Sequence, residues 1–293
     1  MKKAVSLLQD ELVAIRDIQS LQLDVKKLQQ HQAVMQWLSQ TDFAARQHDI
    51  ISRKVEGTGQ SFLDSAEFKA WRQGLALTLF CPGIPGAGKT LMAAITIDYL
   101  CKRAENEDIG VAYIFCTYKE QLGQTSVTLL AVILKQLLQS RPDIAGPITK
   151  MYDIHQKHQS RPSNSEILSA LQLVCSAYSF TYIILDALDE CTDQNGTRGR
   201  LIDNLRELQK RANVRLMFTS RFNPEIEEKF TSDCKLEVRA SNHDIRQYVA
   251  SQLPYFPKCI QRCNDLMQDV QDKIAIASDG MYVHTRGMKH SIR

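Results

Sequence analysis

No Cys-x-x-Cys pair occurs among the eight cysteines (Cys81, Cys101, Cys116, Cys175, Cys191, Cys234, Cys259 and Cys263), and Cys259 and Cys263 have no partnering ligand set nearby. Zinc and a disulfide framework are therefore disfavoured. Most of these cysteines lie in apolar segments, and reduced core thiols in a cytoplasmic protein are expected. The chain also lacks a membrane-length apolar run: the longest aliphatic one, Leu129–Leu134, falls far short of the ~20 residues needed to span a bilayer. Lys2-Lys3 could open a signal peptide, but Gln9, Asp10 and Glu11 interrupt the apolar stretch after it. There is no excess of one charge. Lys+Arg number 36 and Asp+Glu 33, mixed along the sequence for a net charge of +3. Without a basic stripe, nucleic acid is not an expected partner. Internal repeats and low-complexity tracts are missing too, which excludes solenoids and disordered linkers.

What is present divides into four parts: residues 1–38, 39–74, 75–240 and 241–293. In the first, Val5, Leu8, Leu12 and Ile15 recur at helical spacing. The phase slips at Ile18, and Leu21, Val25, Leu28 and Met35 continue it with Gln32 in the seam. The segment has no Gly or Pro. It reads as an amphipathic helix or short coiled coil that self-associates or takes a partner helix, or else as a long helix packed on its own domain. From Thr41 to Trp71 periodicity fades; Gly57-Thr-Gly59 marks a loop and Ser65–Trp71 a short helix.

Strands then alternate with helices, as in a parallel α/β sheet. Apolar strands are expected at 77–81, 110–118, 181–185 and 214–220, with an edge strand at 234–238. Helices are expected at 91–101, 125–140, 163–177, 242–253 and 260–278, with Ser163, Ser165 and Asn242 as caps. The fold class is α/β, a three-layer parallel sheet with helices on both faces, preceded by the N-terminal helix.

The most specific text follows the first strand: Gly83-Ile-Pro-Gly-Ala-Gly88-Lys89-Thr90, leading into an apolar helix from Leu91. Glycines at this spacing let backbone N–H groups turn inward on a polyanion, and the helix N-terminus adds to that preference. Gly83, Ile84, Pro85, Gly86, Ala87, Gly88, Lys89, Thr90 and Leu91 are the candidate phosphate-binding residues of a P-loop. Lys89 would reach the β/γ-phosphates of ATP or GTP, and Thr90 would hold Mg²⁺. Opposite Thr90 such a site needs a carboxylate, and Asp186 supplies it at the end of the apolar run Tyr182–Leu185. Asp189 and Glu190 follow at the rim, either of them able to orient an attacking water. A third apolar strand ends in Thr219-Ser-Arg221, where polar groups could sense the γ-phosphate and Arg221 neutralise developing charge. Arg221 could equally be a surface residue in the turn before Pro224.

Weaker features read as structure. His155 and His158, one helical turn apart beside Gln156 and Lys157, fit a solvated helix face better than a metal site. Trp71 fits a core aromatic better than a wall of a base pocket. Gly57-Thr58-Gly59 could approach a base from the upstream side.

With these elements in place the chain resembles the fungal NACHT-type signalling NTPases of the STAND class, close to the nephrocystin-like N-terminal P-loop domain. The text that carries the resemblance is Glu56-Gly-Thr-Gly-Gln60, Asp64–Trp71, Cys81–Thr90, Ile183-Ile-Leu-Asp-Ala-Leu-Asp-Glu-Cys191 and Phe218–Arg221. It spans roughly residues 35–282. It implies a nucleotide-driven signalling switch with slow hydrolysis or, alternatively, a nucleotide-binding scaffold. The resemblance also implies a winged-helix segment and a repeat region further on. Tyr282–Arg293 is instead polar and basic, so a truncated or alternatively spliced product is expected.

Overall fold

A computed structural model describes residues 2–118, 125–193, 196–252, 268–269 and 272–274, with side chains from Arg16 onward except Asp17. The chain begins with α1 (Lys2–Leu38), an unbroken helix of 37 residues, so the phase slip at Ile18 does not interrupt the backbone. Its seam positions before Arg16 lie outside the described side chains. Among the described side chains of α1, the buried ones are those of its last turn. Val34, Met35, Trp37 and Leu38 are buried, whereas Ile18, Leu21, Val25 and Leu28 are exposed.

Residues 39–74 contain three helices where the sequence shows one: α2 (Ala44–Ser52), α3 (Gln60–Asp64) and α4 (Ala66–Gln73). Ser65 caps α4 by accepting from Phe68 N–H, and the left-handed Gly74 ends it. Phe62, Phe68 and Trp71 pack in a row of ring contacts that ends edge-on against Tyr182. Trp71 is therefore a core residue, fully buried.

The remaining elements are β1 (Thr78–Pro82), α5 (Lys89–Ala104), β2 (Ile109–Phe115), α6 (Ser126–Ser140), α7 (Gly146–His158), α8 (Asn164–Ser176), β3 (Phe180–Asp186), α9 (Thr197–Arg211), β4 (Val214–Ser220), α10 (Pro224–Glu228), β5 (Cys234–Lys235) and α11 (Asn242–Gln252). All strand pairs are parallel, in the order β2-β3-β4-β1-β5. The four long strands are almost wholly buried, which is why they read as continuous apolar runs rather than alternating ones. Helix α5 crosses β4 and β3 to reach β2, and the chain returns through α6, α8 and α9, which pack on one another. Crossovers running in opposite directions must lie on opposite faces when each is right-handed. That gives the three-layer α/β architecture of a P-loop protein.

Several local expectations shift. The α8 cap is Ser163, locked in a capping box with Glu166. The cap of α11 is Ser241, whose Oγ accepts from Asp244 N–H, and not Asn242. The helix expected at 260–278 lies mostly outside the described residues; the five described positions within it are helical. Cys81, Cys116, Cys175 and Cys191 are free and buried and Cys234 is half-buried, but Cys101 is exposed. Cys259 and Cys263 lie outside the described residues.

His155 departs most from its sequence reading. It is buried rather than solvated: its ring packs at 5.7 Å on Trp37, Nδ1 meets Ser160 Oγ at 2.7 Å, and Nε2 meets Glu166 Oε1 at 3.2 Å. The docking of α1 buries it, an effect that its own helix does not encode.

Candidate phosphate-binding site

The loop after β1 leaves the sheet at its carboxyl end. Gly83 donates its N–H to Ser220 O, and a Cβ placed on it would meet Val238 O at 2.5 Å. Its smallness serves the close passage of the segment after β5, which donates Val238 N–H to Pro82 O. Gly86 and Gly88 have φ of 79° and 92°, the left-handed conformations that turn the loop into the N-terminus of α5. Lys89 Nζ folds over the loop and donates to Gly83 O and Ile84 O, each at 2.8 Å.

Strand β4 lies between β1 and β3, with Cys81 opposite Thr219 and Leu185 opposite Phe218. That register brings Thr219 beside Asp186. Asp186 is buried, and its two carboxylate oxygens accept from Thr90 Oγ1 at 2.8 Å and Thr219 Oγ1 at 2.6 Å. Thr219 Oγ1 in turn accepts from Ala187 N–H at 2.9 Å. Ala187 has φ 56°, a strained conformation for a residue with a Cβ, and this hydrogen bond helps to hold it. Burial pushes the Asp186 carboxyl above its ordinary range, opposed by the hydrogen bonds from Thr219 and Thr90. Burial also lowers the pKa of the Lys89 ammonium, with Asp189 chief among the acids that oppose it.

The paired acids sit at the rim, held by Arg221. Asp189 Oδ1 accepts from Arg221 N–H at 3.0 Å, and Arg221 Nε lies 3.4 Å from Asp189 Oδ2. Arg221 Nη2 lies 3.5 Å from Glu190 Oε1. Asp189 is nearly enclosed, Glu190 less so, and Arg221 is half exposed.

A cavity of about 430 Å³ joins these groups. Of the loop candidates, Pro85, Gly86, Gly88, Lys89, Thr90 and Leu91 line it, together with Asp186, Asp189, Glu190 and Arg221. Gly83, Ile84 and Ala87 are not among its lining residues; Gly83 and Ala87 are buried and Ile84 half-buried. Thr219 and Ser220 are likewise fully buried and outside the cavity, so Thr219 positions Asp186 rather than facing a ligand.

The far wall was only partly readable. It is built from Asp49 and Ile50 on α2, Arg53 at its C-cap, Val55 and Thr58 on the following loop, and Tyr248 on α11. Thr58, from the Gly57-Thr58-Gly59 loop, is thus among the residues that line the cavity. Its Oγ1 is buried without a hydrogen-bond partner. The neighbouring Gly59 N–H is held at 3.2 Å by the buried Asp244, which joins residues 185 apart in sequence and fixes α11 over the loop. Nothing local in the sequence signals that contact.

The strand order, the glycine-turned loop and the Thr90–Asp186 pair define a P-loop α/β domain. The family described as nephrocystin 3, N-terminal, matches residues 57–221, and the chain belongs to that family. The nephrocystin-like, NACHT-type resemblance read from residues 56–221 is thereby borne out. The chain is 26% identical over 178 residues to vegetative incompatibility protein HET-E-1 of Podospora anserina, covering 57% of this chain and 12% of that protein. It thus spans about an eighth of that relative's length. Among solved structures it is similar to the Aeropyrum pernix ORC1 protein in complex with DNA (TM-score 0.48, 13% identity, 71% of this chain and 53% of that one). Domain III of the Thermotoga maritima replication initiation protein DnaA is also similar (TM-score 0.45, 15% identity, 80% and 83%). No helix among the described residues is long and apolar enough to cross a membrane.

Proposed function

We propose that this chain binds a nucleoside triphosphate, ATP or GTP, with Mg²⁺ and hydrolyses it slowly, as the switch module of a cytoplasmic signalling protein. The observation that carries this reading is the hydrogen-bonded Thr90–Asp186 pair, held by the buried Thr219 and lining one cavity together with Lys89. The residues fit the group on three counts. Gly86 and Gly88 open the loop backbone towards the cavity. A hydroxyl and one carboxylate form the sparse oxygen set that suits Mg²⁺ beside phosphates. Thr58, whose Oγ1 has no protein hydrogen-bond partner, lines the same cavity.

In this reading Gly83–Leu91 hold the phosphates, and Thr90 and Asp186 hold the ion. When bound, the ion neutralises phosphate charge. Glu190 or Asp189 orients a water, and Arg221 leaves the acids to meet charge at the γ-phosphate. Moving a two-state protein from 1% to 99% in one state takes about 5.5 kcal/mol of differential binding. Charge-assisted hydrogen bonds at about 1.5–3 kcal/mol each can supply that. Residues 2–38 form an arm for pairing with another helix, 75–240 the core, and α11 (Asn242–Gln252) follows it.

One observation favours the second reading, a binding scaffold with little hydrolysis: both rim acids are engaged by Arg221. The test is Mg²⁺-dependent binding of ATP, GTP and ADP together with phosphate release, for the wild type, Lys89→Ala and Glu190→Gln. The proposal expects binding to fall about tenfold to a hundredfold in Lys89→Ala, for a lost contact of ~1.5–3 kcal/mol. Equal binding by both would overturn it. Binding without turnover above the Glu190→Gln background would select the scaffold.

A further inference from the structure

Upstream of its anchored turn, α1 carries an apolar stripe that nothing among the described residues covers. Ile18, Leu21, Val25 and Leu28 are 55, 65, 54 and 58% exposed. Their three-four-three spacing is the a/d repeat of a paired helix. The stripe continues through the exposed Gln32 to Met35, where it changes partner, and Met35 is 6% exposed against the protein's own core.

We infer that a second copy of this chain covers the stripe, parallel and in register, making the protein a dimer through residues 18–32. Three features choose that occupant. Positions a are the β-branched Ile18 and Val25, and positions d are Leu21 and Leu28. That combination favours two parallel strands. The flanking g positions are Asp17, Asp24 and His31, and the e positions are Gln22, Gln29 and Gln36. In a parallel pair each g residue faces an e residue of the other helix, so every acid meets a glutamine amide. An antiparallel pair would set the g-position acids against one another. Finally, Gln32 occupies an a position. A polar group in a seam is costly unless paired, and its own copy in register is the partner that pairs it.

Two heptads would leave an isolated peptide marginal. Here the burial of Val34, Met35, Trp37 and Leu38 fixes the end of the helix, so less ordering is needed on pairing. Leu23, 53% exposed, lies outside the seam and stays at the surface of the pair.

This deepens the reading of residues 2–38 as a pairing arm and is independent of the phosphate site. It is tested on the full chain by light scattering over a concentration series, with and without Mg-ATP, alongside the double variant Leu21→Asp, Leu28→Asp. Both positions are exposed, so the core's melting temperature is expected to stay unchanged in the variant. The wild type is expected to approach twice the monomer mass as concentration rises, and the variant to stay monomeric. A monomeric wild type, including one whose arm pairs only with a different protein, overturns the inference. So does a dimer that the double variant leaves intact. Orientation is read from Ile18→Cys and Leu28→Cys under diamide, against the wild type as control for Cys101. Each is expected to form a disulfide-linked homodimer; a doubled mass without either cross-link overturns the parallel arrangement.

Discussion

Thr219 Oγ1 donates to Asp186 Oδ1 at 2.6 Å while accepting from Ala187 N–H, so one buried hydroxyl fixes both the carboxylate and the strained turn after it. Thr219→Val keeps the shape and removes both bonds. A hydrogen bond to a charged group contributes about 1.5–3 kcal/mol, and urea denaturation of the apo protein is expected to show a loss of that order. Thr219→Ser is expected to restore most of it. Equal stability of the valine and serine variants would show that the hydroxyl holds nothing.

Asp186 itself is expected to cost the apo protein stability at neutral pH. Burial raises its folded pKa, so the fold favours the protonated form. The stability linked to that proton is present below the ordinary carboxylate range and is lost as pH rises through the folded value. Asp186→Asn should therefore melt higher than the wild type at pH 7, by about 2–4 °C for each kcal/mol relieved. The gap should shrink towards pH 4. Thermal melts of both proteins without nucleotide check this. A gap that widens on acidification would contradict the sign. With Mg-ATP the order should reverse, since the variant lacks the charge that holds the ion.

The parts of this architecture legible in the sequence are those written locally. The strands of a parallel sheet are buried on both faces, so Thr78–Pro82, Ile109–Phe115, Phe180–Asp186 and Val214–Ser220 stand out as apolar runs. The loop shows in its glycines because only they reach the φ values of Gly86 and Gly88 without strain. Helices α2 and α7 were not legible. The first has nine residues and no side-chain cap, and the second opens on Gly146-Pro147, which reads as a break. Polar strand ends were legible as polar but not in direction. Register alone decides that Thr219 turns to Asp186 and away from the cavity. The wall made by Tyr248 depends on the Asp244–Gly59 contact, and no local pattern encodes a partner 185 residues away. Likewise the burial of His155 comes from Trp37 on a distant helix.

Thr58 gives a test that separates the phosphate loop from the rest of the cavity lining. Its Oγ1 is buried without a protein partner, and the residue lines the cavity from outside the phosphate loop's own sequence. Satisfying such a group contributes about 0.5–1.5 kcal/mol. Thr58→Val is expected to weaken nucleoside triphosphate binding about twofold to tenfold in calorimetric titration, while leaving inorganic tripolyphosphate unaffected. An equal loss for both ligands would place the effect in the phosphate loop instead.

Trp37 holds the junction between arm and core. Its ring packs edge-on to Tyr152 at 5.4 Å and over His155 at 5.7 Å, and its carbonyl accepts from Arg161 Nη1 at 2.5 Å. Trp37→Ala removes both ring contacts but keeps the carbonyl. A buried Trp→Ala change costs about 3–5 kcal/mol where the site cannot collapse. This site borders solvent and only one turn of α1 depends on it, so the loss should be local. Hydrogen exchange is expected to quicken across residues 30–38 and in α7, with the strands β1, β3 and β4 unchanged. Nucleotide affinity should stay at the wild-type value, because none of these groups touches the cavity. Exchange that quickens equally in the sheet would mean that the last turn of α1 is part of the cooperative core and not a separately docked arm.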